Sequence, residues 1–289
     1  MHRQSSLSRL VLFLLLSLSL AAPTLVSGVT LIWDADTGTP GPQDGAGAGA
    51  NAWTSGGVVF WNTTSSTNVA TTSADIAQFG AGALGSVTSG GSVNVSTQTI
   101  AGLDFESTGG ATGYTLTAAA AGQVLTIGAS GITMNAGAQA TIVGSANLGI
   151  TTNATQSWLN NSSATLTVTG ALIPQAAATL TLGGSGNINI TATTPASNTA
   201  LITKTGTGTV TWTADINTTG NLTINDGLFS LVLSSTQASD MTNIAINNAG
   251  IFRVTGGAGL SANSIITIAA GATYQNNFSG DTISGLLGT

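Results

Sequence analysis

"LITKTGTGTVTWTADINTTGNLTINDGLFSL", residues 201–231, sets aliphatic residues in short bursts, with threonine between them and glycine or asparagine at the breaks. Its run Val210-Thr-Trp212 alternates apolar and polar side chains, as do Leu166-Thr-Val168 and Ile188-Asn-Ile190 upstream. Period two is the mark of a strand with one buried face. Short β-branched runs bounded by Gly, Asn and Asp carry the same reading.

The runs recur at a fixed distance. Leu166, Ile188, Val210, Val232 and Val254 stand 22 residues apart, as do Leu180, Ile202, Ile224, Ile246 and Ile268. Val168, Ile190 and Trp212 form a shorter third column. Short strands at a long fixed period describe a solenoid, in which one winding cannot bury its apolar face until the next stacks on it. The expected fold is all-β: a parallel β-helix of about 22 residues per coil in the C-terminal half.

Stacking explains the composition. Charged residues are 5% of the 289, against 42% hydrophobic and 39 glycines. Inward positions need apolar side chains, each stabilising by roughly 1.5–3 kcal/mol when buried. Outward positions stack one strand apart, where like charges repel and Thr–Thr neighbours contribute roughly 0.2–1 kcal/mol. Glycine suits corners that need positive φ. On this register Lys204 and Asp226, 22 residues apart, are expected to be neighbours forming an exposed ion pair, worth about 0–1 kcal/mol.

Residues 1–28 read as a signal peptide for Sec-type export. His2, Arg3 and Arg9 make a basic start, Leu10 to Leu20 an apolar run of eleven, and small residues follow to Gly28. The expected location is secreted or on the outer cell surface. Beyond this segment no apolar run approaches the roughly 18 residues of a spanning helix. Cleavage would remove the only histidine and leave Lys204 and Arg253 against ten acidic residues, a formal charge of −8. Phosphate binding needs several Lys or Arg, so nucleic acid is excluded as a partner, and with no cysteine and no histidine no cofactor is expected.

The strict period fades before about residue 160, where strand-like runs such as Val124-Leu-Thr-Ile127 and Ile132-Thr-Met134 lie nearer eight residues apart. That spacing suits two or three strands per winding. Residues 29–90 hold Trp33, Trp53 and Trp61, three of the five tryptophans, and read as a cap whose rings pack over the first winding's open edge. Residues 91–289 read as the solenoid proper.

The chain resembles the autotransporter-associated β-strand repeat proteins of bacteria. "LITKTGTGTVTWT" carries Leu201, Lys204, Gly206, Gly208, Val210 and Trp212 of that repeat, and "TGNLTINDGLFSL" carries Gly220, Leu222, Ile224, Asn225 and Gly227. "WD" at 33–34, Trp53, Trp61 and "AQFGAG" at 77–82 are similar to the start of such chains. The resemblance implies a right-handed coil at the cell surface or in the medium. It also implies a C-terminal outer-membrane barrel in full autotransporters. Neither a barrel nor a sorting helix is read up to "SGLLGT", so a freely secreted or a truncated product is expected.

Three patterns are candidates for chemistry. Asp104 and Glu106 in "LDFES" lie on one face of a strand, about 6–7 Å apart by strand geometry. That is near the spacing of an inverting glycosidase pair, but catalysis needs an acid with a raised pKa and nothing in the local sequence supplies one; an ordinary solvated face alternating with Leu103 and Phe105 is the simpler reading. "DADTG" at 34–38 with Asp44 loosely resembles a calcium loop, yet Gly38 and Gly45 stand where ligands belong. The third is a grid: Thr165, Asn187 and Thr209; Thr167, Asn189 and Thr211; Thr169, Thr191 and Thr213. At the 22-residue step these should form three outward columns, bounded by Leu231 and Leu233 on the next winding. Such rows suit ice, a carbohydrate or another protein, although threonine fills exposed strand positions on propensity alone.

The sequence therefore points to a non-enzymatic exported solenoid with a structural or adhesive role. Surface glycans or cell-surface proteins are the expected partners. A polysaccharide-active enzyme and an ice-binding module are the alternatives.

Overall fold

A computed structural model describes residues 28–34, 52–80, 90–110, 112–194, 199–234, 238–257, 259–277 and 285–288. The leader residues 1–27, with Asp36 and Asp44 of the calcium-like stretch, lie outside the described residues. Every described element is a β-strand, and no described helix is long and apolar enough to cross a membrane.

The chain winds as a three-sided parallel β-solenoid of about eight turns. The first side stacks Ile76–Phe79, the second half of Gln98–Phe105, the second half of Gln123–Met134, Gln156–Asn160, Thr179–Gly183, Leu201–Lys204, Leu222–Ile224, Asn243–Ile246, Ile265–Ile268 and Gly285–Gly288. The second side stacks Ser92–Val95, Thr115–Thr117, Thr141–Val143, Leu166–Val168, Ile188–Ile190, Thr209–Trp212, Leu228–Val232, Ile251–Thr255 and Thr273–Asn276. A shorter third side joins the first halves of the two long strands to Leu148–Thr152 and Leu172–Ile173. In later turns it narrows to the single bridges of Ala171 with Thr193 and Ile216 with Ser239, followed by a two-residue ladder of Ala238–Ser239 with Gly259–Leu260.

Alternation sets the inside and outside. Leu166–Val168, Ile188–Ile190 and Leu222–Ile224 each bury both ends and half-expose the residue between. The inward side chains of all three sides meet in one continuous core.

The period holds in part. Leu166 pairs with Ile188 and Ile188 with Val210; Leu180 pairs with Ile202; Ile224 pairs with Ile246 and Ile246 with Ile268. Two steps break it. Ile202 pairs with Leu222 rather than Ile224, and Val210 with Phe229 rather than Val232. Val232 faces outward opposite Thr255, and Leu231 takes the inward place opposite Val254. One winding there is two or three residues short.

Earlier windings are longer. Leu103 pairs with Ile132, Ile132 with Trp158 and Trp158 with Leu182, steps of 29, 26 and 24. These windings need sharp corners. Gly131 turns Gln123–Met134 from the third side to the first at φ +67°, where a Cβ would fall 2.0 Å from the Ser157 carbonyl oxygen. The corner from first to second side carries a glycine column. Gly184, Gly206 and Gly227 all have positive φ, and a Cβ on each of the last two would fall 2.5 Å from the carbonyl oxygen of the glycine before it.

At the N-terminal end Thr30–Trp33 pairs parallel with Ile76–Phe79 and antiparallel with Phe60–Asn62, which pairs antiparallel with Thr67–Val69. This hairpin occupies the sheet edge, one way of blocking further pairing. Trp33 and Trp53 are buried against Phe60 and Phe79, with ring centroids 5.1–6.0 Å apart. Trp61 is half-buried.

Candidate functional site

The grid lies on the second side. Leu166 opposite Ile188 opposite Val210 brings the outward residues between them into line, so Thr167 pairs with Asn189 and Asn189 with Thr211. The flanking columns continue the same ladder. Thr209 N donates to Asn187 Oδ1 at 3.2 Å, Thr191 N donates to Val168 O and Thr213 N to Ile190 O. None of the nine side chains is buried. Thr165, Asn187, Asn189, Thr209, Thr211 and Thr213 line a shallow depression. On its floor Asn189 Oδ1 is covered and has no hydrogen-bond partner.

The middle column extends past the grid in both directions. It reads Thr115, Ile142, Thr167, Asn189, Thr211, Ser230, Arg253 and Gln275, paired strand by strand. Ile142 is 38% exposed and stands at one end of the polar stretch. At the other end the winding after Thr209–Trp212 sets the half-buried Leu228 opposite Thr209 and the buried Ser230 opposite Thr211, while Leu231 and Leu233 are buried in the core. The short winding moves those leucines inside. Arg253, two strands beyond Thr211, donates from Nε to Gln275 Oε1 at 2.8 Å.

Threonine columns also run on the other sides: Thr181, Thr203 and Thr223 on the first, and Thr99, Thr126 and Thr151 on the third. Threonine alone therefore does not single out the second side. The depression with the covered, unpartnered Asn189 Oδ1 and the aliphatic residues at its ends do. Asparagine also ladders on the first side, where Asn243 Nδ2 donates to Asn221 Oδ1 at 3.1 Å and Asn247 Nδ2 to Asn225 Oδ1 at 3.0 Å.

Asp104 and Glu106 point outward on either side of the buried Phe105, as alternation requires. Asn135 is the residue that sequence reading missed. Its Nδ2 donates to Asp104 Oδ1 at 2.7 Å and to Glu106 Oε1 at 2.9 Å. One nitrogen cannot reach two acceptors standing the ~6.5–9.5 Å apart that an inverting pair requires. Burial, reinforced by the Glu106 charge and opposed by the Asn135 hydrogen bond, pushes the Asp104 carboxyl up to about 6. The raised pKa absent from the local sequence thus arises between windings. Asn135 follows Glu106 by the same 29-residue step that joins Leu103 to Ile132, a step the next windings do not repeat.

Lys204 is not on a solvated edge. It takes an inward position opposite Leu182 and Ile224 and is 1% exposed. Its Nζ turns into the glycine corner and donates to the carbonyl oxygens of Thr205 (2.8 Å), Gly206 (2.5 Å) and Asp226 (3.1 Å). The Asp226 carboxylate instead accepts from Gly227 N at 2.8 Å. Burial lowers the Lys204 pKa to about 8, against the opposing pull of the Asp226 charge.

Asp34, the first residue of the calcium-like stretch, is buried and its N donates to Val59 O. Among the described residues no three or more His, Cys, Asp or Glu are grouped to hold a metal ion.

The fold defines the class, a three-sided parallel β-solenoid with sparsely charged, hydroxyl-rich outer faces. The chain matches no protein-family model, no curated protein and no solved structure.

Proposed function

We infer that this chain is an exported, non-enzymatic β-solenoid with a structural or adhesive role at the cell surface, of the autotransporter-associated repeat type. The observation that supports it best is the uncharged stretch of the second side's outer face, where Thr167, Asn189 and Thr211 stand in register on three successive strands. Export rests on the basic and apolar leader pattern of residues 1–28. The repeat resemblance gains a physical reason at Lys204, Gly206 and Gly227, which together close one corner. Surface glycans or cell-surface proteins are the partners. The test is retention of the labelled chain on whole cells and on immobilised extracellular material. Retention without turnover supports the role; no retention on any surface removes it.

One observation favours a second reading, a polysaccharide-active enzyme. Asp104, with its carboxyl raised to about 6 beside Glu106, is a group that can hold a proton near neutral pH. Reducing-end assays on a polysaccharide panel decide it, and activity lost in Asp104→Asn would replace the adhesive reading.

A further inference from the structure

From the chemistry of the second side we propose that the depression centred on Asn189 binds a neutral polysaccharide chain lying across the strands between Ile142 and Leu228. The inference deepens the adhesive reading and rests on it.

The charge of the lining decides the ligand's charge. All the lining side chains are threonine or asparagine apart from the buried Ile188 beneath them. A polyanion needs several Lys or Arg, and the nearest on this column, Arg253, lies two strands away with its Nε given to Gln275. The ligand is therefore uncharged.

The polar groups decide its hydrogen bonding. Threonine hydroxyls donate and accept, and an asparagine amide offers both functions side by side, a match for the paired hydroxyls of a sugar ring. Asn189 Oδ1 sits under the surface unpaired, at a cost of about 1–3 kcal/mol. Rotating the amide would present that oxygen to a ligand hydroxyl and relieve the cost.

The ends of the polar stretch decide its shape. Ile142 and Leu228 flank it at its two ends, so a ligand meets hydrocarbon at both ends and hydroxyls between. Sugar rings carry apolar faces and polar edges in this way. Protein interfaces concentrate their binding energy in central aromatic or arginine side chains, and the centre of this face has none; Trp212 faces the core. Ice would need a longer unbroken threonine lattice than three rows interrupted at Asn187 and Asn189. Without an aromatic platform each contact is weak, so affinity must build along a polymer by multivalency.

The experiment is affinity electrophoresis of the chain through gels holding dextran, laminarin, mannan or hydroxyethyl cellulose, with polygalacturonate as the anionic comparison. At least one neutral polymer should retard the chain and polygalacturonate should not. Asn189→Ala and Thr211→Val should weaken retardation at least tenfold, while Thr203→Val on the first side leaves it unchanged. Circular dichroism of each variant reports folding separately. No retardation by any neutral polymer, retardation indifferent to Asn189→Ala, or retardation by polygalacturonate alone would each overturn the proposal. Thermal hysteresis without polymer retardation would reassign the face to ice. If cells still retain the chain when neutral polymers do not, the adhesive role stands and only this ligand is wrong.

Discussion

Ile202 and Ile224 lie on adjacent parallel strands but not opposite one another: Ile202 pairs with Leu222, and Lys204 pairs with Ile224. A slip of two residues preserves the pleat, because side chains two apart share a face. Lys204 shares the inward face of Ile202 and already stands opposite Leu182; the slip sets Ile224 rather than Asp226 on its other side, which leaves the lysine in an aliphatic column. The lysine is tolerated because the adjoining corner supplies three carbonyl acceptors. Lys204→Met should keep the packing volume and leave those carbonyls without their donor, costing about 1–3 kcal/mol. Denaturant unfolding of the variant measures it, and an unchanged midpoint would mean water satisfies the corner equally well. The pH dependence has a definite sign. The folded Lys204 pKa of about 8 lies below its ordinary 10.5, so the unfolded chain binds more protons between these values. Stability from this group should rise with pH across that window, and the rise should vanish in Lys204→Met.

The same slip shows what the sequence could and could not convey. Leu222 and Ile224 are both apolar, so either one satisfies the alternation opposite Ile202, and the even 22-residue count chose the wrong partner. The distinction lies in the corner, where Gly227 follows Gly206 by 21 residues rather than 22. Upstream, the windings of 29, 26 and 24 residues offer no constant step to find. The grid was legible because Thr167, Asn189 and Thr211 sit where three windings are of equal length. Asn135 was not, because its two partners lie one long winding away and nothing near it in sequence is charged.

Glycines at positive φ divide into two kinds, and the difference is measurable. Gly122 has φ +77° with nothing within 4 Å of where a methyl would stand, whereas Gly131 has φ +67° with the Ser157 carbonyl oxygen 2.0 Å from that place. Gly122→Ala should cost only the left-handed backbone penalty of about 1–2 kcal/mol. Gly131→Ala adds displacement of a neighbouring strand and should cost about 1–3 kcal/mol more. Equal thermal shifts for the two variants would show that the Gln123–Met134 corner is not tightly seated.

Asp104 makes the fold more stable in mild acid than at neutral pH. Its folded pKa of about 6 lies above the ordinary 3.8, so the folded chain holds the proton more tightly than the unfolded one. This group's contribution is greatest below about pH 4 and falls as pH rises to about 6, after which it is flat. Asp104→Asn should remove that slope. Asn135→Ala removes the hydrogen bond that opposes the shift, so the titration should move to higher pH. Carboxyl NMR titration reads both, and a midpoint unmoved by Asn135→Ala would mean that the bridge does not form in solution.

Aromatic stacking at the C-terminal end gives a test of how far damage travels along the coil. Phe252 is fully buried between Phe229 and Tyr274 on successive second-side strands, with ring centroids 6.1 and 5.7 Å away. Truncation to alanine should cost about 3–5 kcal/mol. In a solenoid each winding contacts only its neighbours, so stability is nearly a sum of local terms. Hydrogen exchange in Phe252→Ala should therefore accelerate through Leu228–Val232, Ile251–Thr255 and Thr273–Asn276 while Gln98–Phe105 and Gln123–Met134 keep their protection. Uniform acceleration over the whole chain would instead mean that the windings unfold as one cooperative unit.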